Sequence, residues 1–214
     1  MDYDYGNWFL VIVTSSLFLW FSYDAFKPKN KIDSRSFGAF SAFIIALFTE
    51  MYGFPLTIYL LSSFLGNRFP QLNFTHNSGH LLEVLLGNQG DPHFSFLHIL
   101  SYGLIIAGLF LIANGWKVLY EAVKRNKIAT TGPYKYIRHP QYVGFLIVIV
   151  GFLVQWPTLS TLIMAPILLL MYLRLANKEE VKTLQTHPEY SGYKKQTPPF
   201  IPSIKKLVHS NIKL

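Results

Sequence analysis

The stretch 142–173, YVGFLIVIVGFLVQWPTLSTLIMAPILLLMYL, carries no charged residue. A bilayer core of about 30 Å takes roughly 20 apolar residues of helix, so this run exceeds one crossing. The interruption Gln155-Trp156-Pro157-Thr158 decides how it is used. Proline removes a backbone donor and pushes the residue before it out of the helical region. The stretch therefore reads as two short spans folded back on each other as a hairpin.

Working outward, residues 7–23 and 95–116 are also free of charge, and 37–65 contain only Glu50. They predict spans over about 7–25, 37–65 and 95–120, the second kinked near Gly53 and Pro55. Gly103, Gly108 and Gly115 read as packing sites, because small residues let membrane helices approach closely. Only 14% of the 214 residues are charged, against about 25% in soluble domains. The expected fold is an all-α integral membrane protein of about five transmembrane helices ending in a helical hairpin. The chain reads as one domain, 1–214, without internal repeats.

The formal net charge of +8 is placed for a membrane, not for nucleic acid. Of the 19 Lys and Arg residues, four fall in 24–36, six in 117–141 and eight in 174–214, leaving one in 66–94. Cytoplasmic loops collect Lys and Arg. Five spans with the N-terminus outside and the C-terminus cytoplasmic put the three basic segments on one side. Asp2 and Asp4 argue against a cleaved leader, which starts with positive charge. With no cysteine, thiolate nucleophiles and cysteine-held metals are excluded.

Two polar segments flank the hairpin and must meet at its open end: NKIATTGPYKYIRHPQYVG (126–144) and RLANKEEVKTLQTHPEYSGYKKQTPPFIP (174–202). The first brings Tyr134, Arg138, His139 and Tyr142; the second brings Arg174, Glu179, Glu180, Tyr190 and Tyr193. Carboxylates accept strong charge-assisted hydrogen bonds, arginine's planar fork suits a carboxylate, and tyrosine faces favour a cation. Read singly, Arg138 and His139 could be anchors for lipid phosphates, and Glu179-Glu180 a solvated pair.

Taken in order, Arg-His-Pro-x-Tyr-x-Gly, a proline-broken hairpin, Glu-Glu and Tyr-x-x-Tyr resemble a known family over roughly 117–203. It is that of the integral-membrane methyltransferases, which includes isoprenylcysteine carboxyl methyltransferase and the phospholipid N-methyltransferases. The resemblance implies S-adenosyl-L-methionine in a cytoplasmic pocket and methyl transfer to a lipophilic or membrane-partitioned acceptor, whether carboxylate, thiol or amine. It implies that Asn126, Lys127, Ile128 and Ala129 line the donor's outer edge. Tyr134 and His139-Pro140-Gln141-Tyr142 would then hold its centre, with Arg138 also among the residues that bind it. Glu179, with Glu180 as the alternative, binds it, and Arg174 faces the substrate. Arg174, Glu179 and Glu180 are the expected catalytic set. Residues 117–203 form the donor-binding core, and 1–116 the substrate-side helices. Position 126 is Asn where the prenylcysteine enzymes have His.

Glu50 near the middle of the second span is a second candidate for the substrate head group or a proton relay, since a carboxylate in a bilayer is costly. His76 and His80 have metal-ligand spacing for a helix, but Asn77-Ser78-Gly79 opposes one, and no metal is expected. Two rivals remain. An NADPH-dependent membrane reductase of the sterol reductase type would need extra basic residues, for which Lys194 and Lys195 are available. A non-enzymatic transporter or assembly factor would bind neither donor. Lipophilic small molecules and membrane lipids are the expected partners, without nucleic acid.

Overall fold

The computed structural model describes residues 5–65, 67–68, 76–87 and 90–203. Asp2, Asp4, the side chain of His76 and the basic end 204–214 lie outside the described residues. Every regular element among those described is helical: α1 (Trp8–Phe26), α2 (Lys31–Phe48), α3 (Leu56–Leu65), α4 (Leu81–Leu85), α5 (Phe96–Lys124), α6 (Pro140–Gln155), α7 (Leu159–Thr186) and α8 (Tyr190–Gln196). Four are long and apolar enough to cross a membrane: α1, α2 with its continuation to Gly53, α5 and α7. The 16-residue α6 is the shorter fifth helix of the expected set.

Local chemistry fixes the boundaries. The Asn7 side chain accepts from Leu10 N–H at the start of α1, and α1 ends where Lys27 adopts φ 44°. Asn30 and Asp33 form a reciprocal capping box on α2, satisfying donors that a helix start leaves unpaired. Thr158 and Thr161 do the same for α7, directly after Pro157. Pro140 occupies the first position of α6, where its missing N–H is not needed.

The second span differs from expectation. It is not one kinked helix over 37–65: α2 starts earlier, at Lys31, and passes into a π-helical turn at Thr49–Gly53 before α3 begins at Leu56. Pro55 cannot donate a backbone hydrogen bond, so the helix ends rather than bends. Glu50 therefore sits at the end of a helix and not at mid-span. Its carboxylate accepts from Thr57 N–H at 2.9 Å and from the Ser160 hydroxyl, while Thr57 Oγ1 accepts from Leu159 N–H at 2.8 Å. Three helix ends are clasped by one buried acid.

The hairpin exists, with Trp156–Thr158 as its turn, but α6 packs most extensively on α5 rather than on α7. Glycine makes this possible. A Cβ on Gly144 would stand 2.6 Å from Ile112 Cγ1 and 2.8 Å from the Gly108 carbonyl oxygen, so the two backbones touch. Around the seam lies an aromatic core. Phe145 meets Phe26 at 5.0 Å and Phe40 at 4.8 Å between ring centres, and Phe26 meets Trp116 at 4.9 Å. Outward, Trp8, Phe9, Trp20 and Phe21 of α1 and Ile106 and Phe110 of α5 are exposed, as suits helices facing lipid.

Candidate functional site

Helix α7 runs beyond its apolar portion and carries Glu179 and Glu180 across to residues 138–142. Arg138 Nε donates to Glu180 Oε1 at 2.7 Å, His139 Nε2 lies 3.0 Å from the same oxygen, and Lys194 Nζ lies 2.8 Å from Oε2. Arg138 Nη1 donates to the carbonyls of Lys194 and Thr197 at 2.9 and 2.5 Å. The tail Thr197-Pro198-Pro199-Phe200 lies against this turn. Its prolines have no N–H to spend on regular structure, and their carbonyls accept from Arg138 N–H at 2.9 Å and His139 N–H at 3.1 Å. Tyr193 donates its hydroxyl to the Tyr134 carbonyl at 2.6 Å. Thus the two polar segments and the tail form one cross-linked wall.

Enclosed by that wall is a cavity of about 280 Å³. Glu179 and Glu180, adjacent in sequence, differ in availability. The Glu180 side chain is 5% exposed and its two oxygens meet three cationic groups, whereas Glu179 is 22% exposed, accepts the Tyr142 hydroxyl at 2.5 Å and lies 3.6 Å from His139 Nδ1. His139 caps α6. Burial opposes its charged form, but Glu179, 3.6 Å from Nδ1, and Glu180 outweigh burial and hold its pKa above the usual imidazole value. Nδ1 is itself buried without a hydrogen-bond partner. Tyr134 donates to Gln141 Oε1 at 2.9 Å, and burial holds its phenol well above the usual tyrosine pKa. Behind the cavity the rings of Phe200, His139, Tyr142 and Tyr172 stack in succession at 5.5, 5.8 and 5.4 Å.

The structure brings Lys127, Ile128, Ala129, Tyr134, Arg138, His139, Gln141, Glu179 and Glu180 to one cavity. Tyr142 is positioned behind it through Glu179. Pro140 packs instead at the α5–α6 seam, where a Cβ on Gly115 would be 3.2 Å from its ring. Three other expectations change. Asn126 takes φ 50° to end α5; it is exposed, and its carbonyl is 3.4 Å from His187 Nε2. Arg174 is exposed and lies outside the cavity wall, because six residues of α-helix rotate it about 120° from Glu180. Glu50, beside Ser160, is separated from Glu180 by the rise of α7 from Ser160 to Glu180, about 30 Å. It belongs to the opposite end of the bundle.

Sequence reasoning missed Asn30 and Asp33, which bring the start of α2 into the cavity wall, and also Thr183 and His187. Asn-x-x-Asp was readable as a capping box, but nothing local said which cavity that helix start would face.

Comparison with known proteins fits this arrangement. Residues 95–186 match the isoprenylcysteine carboxyl methyltransferase (ICMT) family, covering α5, the polar turn, α6 and α7. The chain is similar to the cobalt-zinc-cadmium resistance protein CzcN of Cupriavidus metallidurans, at 32% identity over 50% of this chain and 50% of that protein. It is also similar to the nickel-cobalt-cadmium resistance protein NccN of Alcaligenes xylosoxydans xylosoxydans, at 30% identity over 58% of this chain and 60% of that protein. The matches thus span half to three-fifths of these relatives. No solved structure matches the chain.

Proposed function

We propose that this chain, an isoprenylcysteine carboxyl methyltransferase-like membrane protein through residues 95–186, transfers a methyl group from S-adenosyl-L-methionine to a membrane-partitioned acceptor. When bound, that donor supplies an electrophilic methyl on a sulfonium sulfur. The single observation that carries the reading is the cavity wall of His139, Glu179, Tyr134 and Tyr190 at the meeting of the two polar segments. The residues fit a zwitterionic nucleoside. Glu179 has accepting capacity left, His139 Nδ1 is a buried polar atom without a hydrogen-bond partner, 3.6 Å from Glu179, and the tyrosines offer faces to a cation.

Glu179 takes the donor's amine or ribose hydroxyls, and His139 and Gln141 present the start of α6, where a helix favours negative charge. Glu180 and Arg138 are positioning residues, because Glu180 is taken up by Arg138, His139 and Lys194, and Arg138 by Glu180 and the carbonyls of Lys194 and Thr197. This departs from the expectation that Arg138 binds the donor directly. Tyr190 and Tyr193 of α8 line the cavity, and alignment with exclusion of water is the protein's main task in an in-line displacement. Arg174 faces outward, where an acceptor arriving from lipid first meets the chain. We place this end of the bundle on the cytoplasmic side on the strength of its Lys and Arg residues. The relatives are named for metal resistance; carried here as a proposal, the methylation serves tolerance of such cations.

The test is a methyl-transfer screen on the purified full chain with radiolabelled donor against prenyl thiols, amino-lipids and small hydrophobic thiols, alongside equilibrium binding of donor and NADPH. Saturable donor binding and label in at least one acceptor are expected. Saturable NADPH binding with no binding of S-adenosyl-L-methionine would overturn the assignment in favour of a reductase.

A further inference from the structure

The end of the bundle away from the donor cavity gathers a second set of functional groups. His80 stands just before α4, His93 in the 3₁₀ turn Pro92–Phe94, and His98 in the first turn of α5. Their rings form a nearly equilateral triangle, with centres 5.0 Å (His80–His93), 5.1 Å (His80–His98) and 5.3 Å (His93–His98) apart. This spacing has a chemical meaning. A tetrahedral cation about 2.1 Å from one nitrogen on each of three imidazoles sets their ring centres about 5.2 Å apart.

The outer hydrogen bonds point the same way. His80 Nδ1 lies 3.1 Å from the carbonyl oxygen of Gln155, and His93 Nδ1 lies 2.8 Å from Asp91 Oδ1. Both oxygens accept, so in each neutral ring Nδ1 carries the proton and Nε2 the lone pair. Imidazoles that bind metals are oriented in this way, through a carbonyl or carboxylate on the other nitrogen. His80 is also held by the Trp156 indole, 4.7 Å away between ring centres, against which the backbone of Gly79 is pressed.

His98 is the third member. It is 2% exposed, and neither ring nitrogen has a hydrogen-bond partner; burial of such groups is disfavoured unless something else bonds to them. As the side chains stand, no three imidazole or carboxylate groups among the described residues are arranged to hold an ion. Rotation of His98 about its Cβ–Cγ bond swings its nitrogens while leaving the ring centre in place. That torsion is broad, and no hydrogen bond is broken by it.

We propose that His80, His93 and His98 form a binding site for one divalent cation of the zinc class, closed by rotation of His98 and oriented by Asp91 and the Gln155 carbonyl. Three neutral imidazoles leave the fourth tetrahedral position to water or a carboxylate, and zinc accepts that geometry without preference of its own. The site is separated from the donor cavity by the length of α6, about 24 Å, and does not depend on the methyl-transfer reading.

The experiment uses the full chain in nanodiscs, purified without a histidine tag, with Co²⁺ as a spectroscopic stand-in for Zn²⁺. The expected result is the visible absorption of tetrahedral, nitrogen-ligated cobalt, saturating at one ion per chain and abolished by equimolar Zn²⁺. His93→Gln and His98→Gln each weaken binding at least tenfold, and Asp91→Asn weakens it about 10–100-fold. The His93 side chain is 42% exposed, so its replacement leaves the bundle intact and decides the matter even if His98→Gln fails to fold. Zinc also raises the melting temperature of the wild type with concentration, but not that of His93→Gln. Absence of saturable cobalt absorption in the wild type, or absorption unchanged in His93→Gln, overturns the proposal.

Discussion

Replacing Glu180 with Gln keeps the side chain's shape but removes its charge from among Arg138 Nε at 2.7 Å, His139 Nε2 at 3.0 Å and Lys194 Nζ at 2.8 Å. Breaking a buried ion pair by removing one partner destabilises by about 3–5 kcal/mol, because the other charge is left uncompensated. The three partners do not suffer equally. Lys194 is 45% exposed and rehydrates, and His139 can shed its proton, whereas Arg138 is 9% exposed and always charged. The expected loss therefore sits at the lower end, about 3 kcal/mol, which is still a large share of a typical stability of about 5–15 kcal/mol. Glu179→Gln is the contrast. The amide oxygen still accepts from Tyr142, and only a 3.6 Å contact with His139 loses its charge, so the loss is about 1 kcal/mol. For donor affinity the order reverses: Glu179→Gln loses tenfold or more, about 1.4 kcal/mol. Unfolding by SDS titration in mixed micelles and donor binding by calorimetry on the same samples separate the two effects. Equal destabilisation by both substitutions, or full donor affinity in folded Glu179→Gln, would show that the division of labour between the two acids is wrong.

His139 gives the site a pH signature. Its folded pKa is raised, so its contribution to stability is fully present below the unfolded value of about 6.5. That contribution is lost as pH rises through the folded value; melting curves across this window should fall in the wild type and flatten in His139→Gln. Gly144→Ala should destabilise by about 1–3 kcal/mol, the usual penalty of overpacking, because its Cβ would meet both Ile112 and the Gly108 carbonyl. Gly38→Ala, with no atom within 4 Å of the added Cβ, should instead stabilise α2 by roughly 0.5–1 kcal/mol; the two melting temperatures check the pair.

What the sequence reveals is governed by the range over which each interaction acts. The hairpin turn at Trp156–Thr158 and the span positions follow from apolar run length and from proline, which act over a few residues. Pro55 acts locally too, yet its outcome differed from a kink: Glu50 stabilises a full break by bonding Thr57 and Ser160, and the Ser160 partner is invisible to any local pattern. The meeting of 126–144 with 174–202 was legible because a hairpin's ends must adjoin. The contribution of Asn30 and Asp33 was not, since packing of α2 on α7 follows from side-chain shape rather than from connectivity.

The same distinction explains why neighbouring residues carry different work. Glu179 and Glu180 are indistinguishable as a dipeptide, but successive residues of a helix point about 100° apart, so both border the cavity while only Glu180 is taken up by Arg138, His139 and Lys194. Arg138 is then occupied by the acid beside the one with accepting capacity left. The wall is consequently held by charges that are neutralised internally, which leaves Glu179, His139 Nδ1 and the tyrosines as the groups with capacity to spare. A cavity built in this way can lose its ligand without leaving its main ion cluster unpaired, and that is what a site needs if it must release a spent donor and accept a new one on every turnover.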